Sequence, residues 1–405
     1  MEKYVLEKSI SREVGNLRIH FYGVQGSGSV FPRKDQRAKI RCVSEVAVVE
    51  EVLAMVQNEI DSGTPNSNLV EAVVGGPVSQ ASLLNVWSKL TVPEPPIYGG
   101  WTSCIRIETS DGNDIVFDCG SGFRLCAQDL ERTWAKQEAR NLTIFGSHPH
   151  FDHTEGFDQA DVCFNPKNNI HLYANASYLK ALDRSSGIFS HRIADTNARQ
   201  PPPLNYKQMQ AKFQATELRD LSLDSEADVH DNGSITQHIH DWNTPVIIGN
   251  TRIQAFEVFH SGSCLAFRIE HNGKVFVYCT DHELRHDLNP NHPLQIASNE
   301  AEERLMLHSK DADVLYRDGQ FLRAEYDGSK GIGKLAGVPR RDWGHSCIED
   351  VIAMAKRCRV KSLYLGHHDP NRPWQELVEI DKMVQAESGS DIYMELAKAE
   401  TIIDL

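Results

Sequence analysis

The stretch NLTIFGSHPHFDHTEGF, residues 141–157, decides how the rest of the chain is read. An apolar run ends in His148, His150, Asp152 and His153, all within six positions. Extended chain places alternate side chains on one face, so His148 and His150 can point at one metal ion. Asp152 and His153 follow as the chain turns, and can point at a second ion beside it. Imidazole and carboxylate suit zinc and neighbouring first-row metals. Two ions side by side can share a water, lower its pKa and clamp a phosphate. One motif supplies four ligands at most, so a two-ion site needs more from elsewhere.

The strand ends downstream offer them. His260 ends TRIQAFEVFH, Asp281 follows KVFVYCT, and His367 follows KSLYLG. Each lies just after a β-type apolar run, as the first motif does.

The chain has 405 residues, enough for one large domain with insertions or for two domains. A 40% apolar and 24% charged composition reads as globular. The net charge of −14 argues against a broad electrostatic footprint for polyanions, which relies on Lys and Arg neutralising phosphates. A local basic pocket for one phosphate stays compatible with it. Nine scattered cysteines without a C-x-x-C pair read as reduced core thiols of a cytoplasmic protein. The N-terminal segment lacks the pattern of a signal peptide, and no apolar run is long enough to span a bilayer.

Along the chain, residues 17–29 read as a strand ending in a Gly/Ser turn, and residues 102–122 as a hairpin around an Asp-Gly turn. Helical periodicity over 42–63 and 79–90 makes 36–96 a helical insertion between two strands. It is a lid, a subunit interface or a segment packed on its own core. Residues 123–139 read as helix, NIHLYAN with ASYLKALDRSS as strand then helix, and 187–245 as an irregular loop or lid. Beyond it come three strands up to the TDHE segment, a helix near 300–309, a strand at ADVLYRDG, a helix near 346–357, a strand at KSLYLGHH and a helix near 373–386. Hairpins with interspersed helices suit two packed sheets with helices outside better than a doubly wound parallel sheet.

HPHFDH resembles the H-x-H-x-D-H signature of the metallo-β-lactamase fold. The companion motifs occur in order: VFDCGSG with Asp118, FHSGS with His260, YCTDHE with Asp281, and LYLGHHDP with His367. The resemblance covers nearly the whole chain apart from the insertions. It implies one α+β domain, an αββα sandwich of two mixed sheets with helices on both outer faces. It implies that His148, His150 and His260 hold one ion, that Asp152, His153 and His367 hold another, and that Asp281 bridges them. Zn²⁺ is the default ion, with Mn²⁺ or Fe²⁺ as alternatives. Asp118 either orients the histidine loop or caps its own turn. Adjacent residues on a strand face opposite ways, so one of His367 and His368 misses the ions, and the family pattern favours His367 as ligand.

Three further stretches resemble a phosphodiesterase branch of that fold. FYGVQGSGS and YGGWTSC are similar to its GxRGS and YGGNTSC segments, with Gln25 and Trp101 as departures. LYRDGQFLRAEY is similar to its YDAQY…EY segment. DWGHSC is similar both to this branch and to the tRNase Z group, which implies a general acid or phosphate-binding role for His345, with Asp342 to orient it. Asp152 counts with His345 and Asp342 among the catalytic candidates. His282, His368 and Ser261 are candidates for substrate contact, although His282 equally suits a neutral solvent-facing role. His191, Arg192, His238 and His240 are the polar groups a lid would bring.

The resemblance therefore implies a binuclear metal-dependent phosphodiesterase for a cyclic or other small nucleotide, paired as a homodimer, with no membrane or long nucleic acid as partner. The alternatives are a tRNase Z-like endoribonuclease, a thioester or lactone hydrolase, and a metal-binding module without turnover.

Overall fold

The computed structural model describes residues 16–92, 94–137, 140–190, 206–222, 238–287 and 289–405. Residues Phe31–Ile97 form one compact unit and the rest of the described chain another.

The larger unit holds two sheets. The first has eight strands in the order β15-β1-β2-β3-β4-β5-β6-β7. These are β1 (Leu17–Gly23), β2 (Cys104–Thr109), β3 (Asp114–Phe117), β4 (Arg140–Gly146), β5 (Asn168–Ala174), β6 (Lys212–Arg219), β7 (His238–Asp241) and β15 (Ile402–Asp404). The second has seven, in the order β14-β13-β12-β11-β10-β9-β8. These are β8 (Val246–Ile248), β9 (Thr251–His260), β10 (Gly262–His271), β11 (Lys274–Cys279), β12 (Val314–Asp318), β13 (Ser362–Gly366) and β14 (Tyr393–Leu396).

Each sheet starts antiparallel and ends parallel. β1, β2 and β3 pair antiparallel, and β3 through β7 pair parallel. β8 to β11 form an antiparallel meander, and β11 to β14 run parallel. The Asp111-Gly112 turn, with Gly112 at φ 82°, closes the β2–β3 hairpin. Parallel neighbours need crossovers, and helices supply them. α4 (Phe123–Thr133) and α5 (Ala176–Ser186) serve the first sheet. α6 (Pro293–Ser309), α8 (Ile348–Arg357) and α9 (Trp374–Ala386) serve the second, and the short α7 (Arg323–Tyr326) follows β12.

Three apolar layers hold this arrangement. Ile19, Phe21, Ile107, Phe117, Phe145, Phe267, Phe276 and Tyr278 fill the space between the sheets. The Phe117 ring lies 5.6 Å from that of Phe145 and 5.4 Å from that of Phe267, so a single ring joins both sheets. Phe123, Cys126 and Leu130 of α4 pack with Leu179 of α5 over one outer face. Val351, Ala355, Leu377 and Val384 of α8 and α9 cover the other. The result is the α+β metallo-β-lactamase sandwich with helices on both outer faces.

Local chemistry explains most boundaries. The Asn175 side chain accepts from the Tyr178 amide and caps α5, and Gly187 at φ 68° ends it. Pro293 sits in the first turn of α6, where its missing N–H costs nothing. That helix therefore starts well before 300, the boundary read from periodicity. Within 187–245, β6 and β7 are regular strands and correct the irregular reading there. His191 and Arg192 lie outside the described residues, and His238 and His240 belong to β7.

The smaller unit is helical: α1 (Lys34–Asp61), α2 (Leu69–Val74) and α3 (Gln80–Trp87). Ser79 accepts from the Ser82 amide at the start of α3, and Gly75 at φ 76° stops α2. The Glu51 carboxylate of α1 accepts from the Thr91 amide and hydroxyl at 2.9 Å each. Eight of the nine cysteines are buried and Cys42 is exposed, all as free thiols. Among the described residues no helix is long and apolar enough to cross a membrane.

Candidate metal centre

The carboxyl ends of six strands meet at one edge of the sandwich. Asp118 follows β3, the His148–His153 loop follows β4, and His260 closes β9. Asp281 lies just past β11, Asp318 closes β12 and His367 follows β13. Strand geometry fixes where each side chain starts, so residues far apart in sequence converge without a long loop.

Two groups form around Asp281. Its Oδ2 lies 3.3 Å from His148 Nε2 and 3.6 Å from His260 Nε2. Its Oδ1 lies 3.2 Å from His153 Nε2 and 2.9 Å from His367 Nε2. His150 Nδ1 joins the first group, 3.0 Å from His148 Nε2 and 3.1 Å from His260 Nε2. Asp152 Oδ2 joins the second, 3.2 Å from His367 Nε2 and 3.5 Å from His153 Nε2. Ligand-type atoms lie close together in His148–His150–His260–Asp281 and in Asp152–His153–His367.

Outer partners aim the rings. Asp118 is buried at φ 59° and accepts from His153 Nδ1 and the Tyr278 hydroxyl, both at 2.8 Å, and from the Ser147 amide at 2.8 Å. It therefore fixes the tautomer of His153. His260 Nδ1 donates to the Gly344 carbonyl at 3.0 Å, which leaves Nε2 as a lone-pair donor. His367 sits at φ 58°, and a Cβ added to Gly26 would overlap its ring. The Ser27 amide donates to Asp152 Oδ2 at 2.7 Å.

The electrostatics fit divalent cations. Among the described residues, the ion-pair partners of Asp152 and Asp281 are histidines alone. Although burial opposes it, the surrounding histidines hold both carboxyls far below the usual carboxylate range. Burial, with His153 nearby, pushes His148 down to about 4, and burial pushes His260 down to about 2, which favours neutral rings able to ligate. Burial acts the same way on His367, but Asp281 and Asp152 overcome it and raise the ring to about 10. Among the described residues, His153 Nε2 and both nitrogens of His367 are buried without a hydrogen-bond partner. His367 Nε2 is near Asp281 Oδ1 in distance but not in hydrogen-bonding direction, so these orphaned atoms suit ligation better than hydrogen bonding.

A cleft of about 500 Å³ opens onto this cluster, lined by Ser27, His150, Phe151, Asp152, His260, Asp281, Asp342, Trp343 and His345. The His345 ring stacks on that of His367 at 4.7 Å, and its Nδ1 lies 3.0 Å from Asp318 Oδ2. Asp318, not Asp342, orients His345. Asp342 stands at φ 71° and turns its exposed carboxylate to Arg285. Asp318 lies in the LYRDGQFLRAEY stretch that carries part of the resemblance, without a role assigned to it there, and it ends a strand as the ligand candidates do.

Two substrate-contact candidates point elsewhere. His282 is buried, with Nε2 2.9 Å from Glu302 Oε2, and Glu302 is held by Arg317 at 2.6 and 3.0 Å. An ion network behind the site absorbs it. His368 is buried, with Nε2 2.8 Å from the Ala397 carbonyl, because the strand alternation that turns His367 in turns it out. Ser261 stays at the rim, its Oγ 3.4 Å from His150 Nε2. Gln25 ties loops together instead of facing substrate: its amide donates to the Gly28 carbonyl at 2.6 Å and its oxygen accepts from the Gly100 amide.

Fold and site together define a metal-dependent hydrolase of the metallo-β-lactamase fold. The chain belongs to the β-lactamase superfamily domain family, whose model matches residues 113–368. No curated protein matches the chain. Among solved structures it is similar to Zn²⁺-bound PqqB from Methylobacterium extorquens, at 13% identity, TM-score 0.49, covering 96% of this chain and 100% of that one. It is similar to the short form of human tRNase Z at 14% identity and TM-score 0.47, covering 95% and 98%. A diphosphatase of the PhnP family matches at 11% identity and TM-score 0.45, covering 96% and 98%.

Proposed function

We propose that the chain is a two-metal phosphodiesterase that cleaves a cyclic or other small nucleotide. One observation carries the reading: the two oxygens of Asp281 face two separate ligand groups, as a carboxylate bridging two ions would. His148, His150 and His260 would hold one ion, and Asp152, His153 and His367 the other. Zn²⁺ is the ion best suited to this donor set. When bound, such ions activate water and neutralise charge on phosphoryl oxygens.

The chain's own residues supply the remainder. Phosphodiester hydrolysis breaks a P–O bond and leaves an alkoxide that needs a proton. His345 lies beside the cluster with Nδ1 held by Asp318, so its other nitrogen is the proton donor to the leaving oxygen. The walls of the cleft exclude bulk solvent from part of the cluster, and its size suits a mononucleotide better than a duplex. A net charge of −14 supports a small substrate over a long polyanion. Self-association as a homodimer belongs to the same proposal and is read by light scattering.

The test is a substrate panel with added Zn²⁺ or Mn²⁺: bis-p-nitrophenyl phosphate, several cyclic mononucleotides, a precursor tRNA and a thioester, each beside Asp281→Ala. Cyclic mononucleotide turnover that vanishes in the variant is the expected result. Cleavage of tRNA alone or of the thioester alone overturns it.

A further inference from the structure

Beside the metal cluster, one turn presents an aromatic side chain in an unusually constrained way. Trp343 lines the cleft and is 50% exposed. The residues on either side of it both have left-handed backbone, Asp342 at φ 71° and Gly344 at φ 86°. For Asp342 this conformation costs energy, and such strain persists only where surroundings over-determine it. Here they do. Glu283 is buried, and its two carboxylate oxygens accept from the Asp342 amide at 3.0 Å and the Gly344 amide at 2.9 Å. The Tyr326 hydroxyl also donates to it.

The indole is held from behind as well. The buried Arg340 guanidinium lies 4.1 Å from the Trp343 ring centroid. A cation over one face fixes the plane of the ring, which also meets the Phe321 ring edge-on with centroids 6.5 Å apart. The same short turn carries His345, and its Gly344 carbonyl orients His260. A buried carboxylate and a buried cation thus hold a large apolar side chain half-exposed at the cleft instead of burying it.

We propose that Trp343 is the platform on which the base of a nucleotide stacks, and that Glu283 is the positioning residue that holds it beside the metal centre. The proposal rests on the nucleotide reading above and adds how the base is held. It predicts recognition of a π-face rather than of one base edge, so bases are distinguished weakly. Phe151, 71% exposed on the same cleft, offers a second aromatic surface.

The experiment compares binding of adenosine monophosphate and ribose 5-phosphate to the Zn²⁺-loaded protein by calorimetry. Stacking on an aromatic ring makes the nucleotide bind roughly 5- to 100-fold more tightly than the sugar phosphate. Trp343→Ala should collapse that ratio, and Trp343→Phe should keep most of it. Glu283→Gln should lower the ratio too, a change that a merely structural role would not produce in a folded variant. Equal loss for both ligands in Trp343→Ala, or an unchanged ratio, overturns the inference. A wild-type protein that prefers neither ligand overturns it too, while bis-p-nitrophenyl phosphate turnover would still support the hydrolase reading. Conversely, Trp343-dependent binding without turnover of any phosphodiester sustains the platform and sinks the hydrolase reading.

Discussion

His345 is the residue whose role divides by leaving group. A p-nitrophenolate departs readily without a proton, whereas a ribose alkoxide does not. His345→Gln is therefore expected to lower kcat about 10²- to 10⁴-fold on a cyclic nucleotide and far less on bis-p-nitrophenyl phosphate. Equal losses on both substrates would make His345 a phosphate-binding group instead. Asp318→Asn should follow the same split with a smaller loss, since it removes the charge that orients the ring. His368 gives a stability prediction at the same scale. Burial, with a smaller opposing effect from the Ala397 carbonyl, pushes its pKa from 6.5 down to about 4. The unfolded chain takes up that proton near 6.5 and the folded chain resists until about 4. The contribution is whole above 6.5 and is lost as pH falls toward 4. Urea unfolding in chelator should show wild type losing on the order of 3 kcal/mol more than His368→Gln across that window. Parallel pH curves would refute it.

At the scale of elements, the site depends on loops that approach closer than a side chain permits. Gly26 follows β1, and His367 follows β13 in left-handed backbone against it. Gly26→Ala should displace the imidazole and weaken metal binding about 10- to 100-fold by titration, with the far-ultraviolet circular dichroism unchanged. Unaltered affinity would mean that the loop yields. The same scale shows what the sequence disclosed. Ligand candidates were legible because each follows an apolar strand, and that pattern survives without any knowledge of pairing. KFQATELR was not legible as β6, because its strand character comes from parallel pairing with β5 rather than from its own composition. Asp318 and Asp342 were exchanged for a related reason. Proximity in sequence favoured Asp342, three residues before His345, but its left-handed backbone turns it to Arg285. Asp318, a distant residue at the end of β12, takes the place beside the ring. His282 misled for the same cause: its partner Glu302 lies on α6, which sequence spacing does not bring near.

At the scale of the molecule, the candidate ligands join the two sheets. His148, His150, Asp152 and His153 come from the first sheet, and His260, Asp281 and His367 from the second. The apolar layer around Phe117 holds the sheets together throughout their contact, so the fold does not depend on ions alone. At the open edge, however, two buried carboxylates face each other across histidines, and among the described residues no lysine or arginine pairs with them. Ions bound there act on the folded state only, because the unfolded chain scatters the ligands. Metal at 100 times its dissociation constant should then add about 2.7 kcal/mol of stability. Zn²⁺ should raise the unfolding midpoint, chelator should reverse the rise, and Asp281→Ala should abolish it. Because an imidazole must be neutral to ligate, and against the effect of burial Asp281 and Asp152 raise His367 to about 10, the rise should shrink as pH falls below about 10. Hydrogen exchange locates the effect: protection should change at the ends of β4, β9, β11 and β13 and stay constant at the opposite edge. Uniform protection across both sheets would mean that the ions stabilise the molecule without joining its halves at that edge.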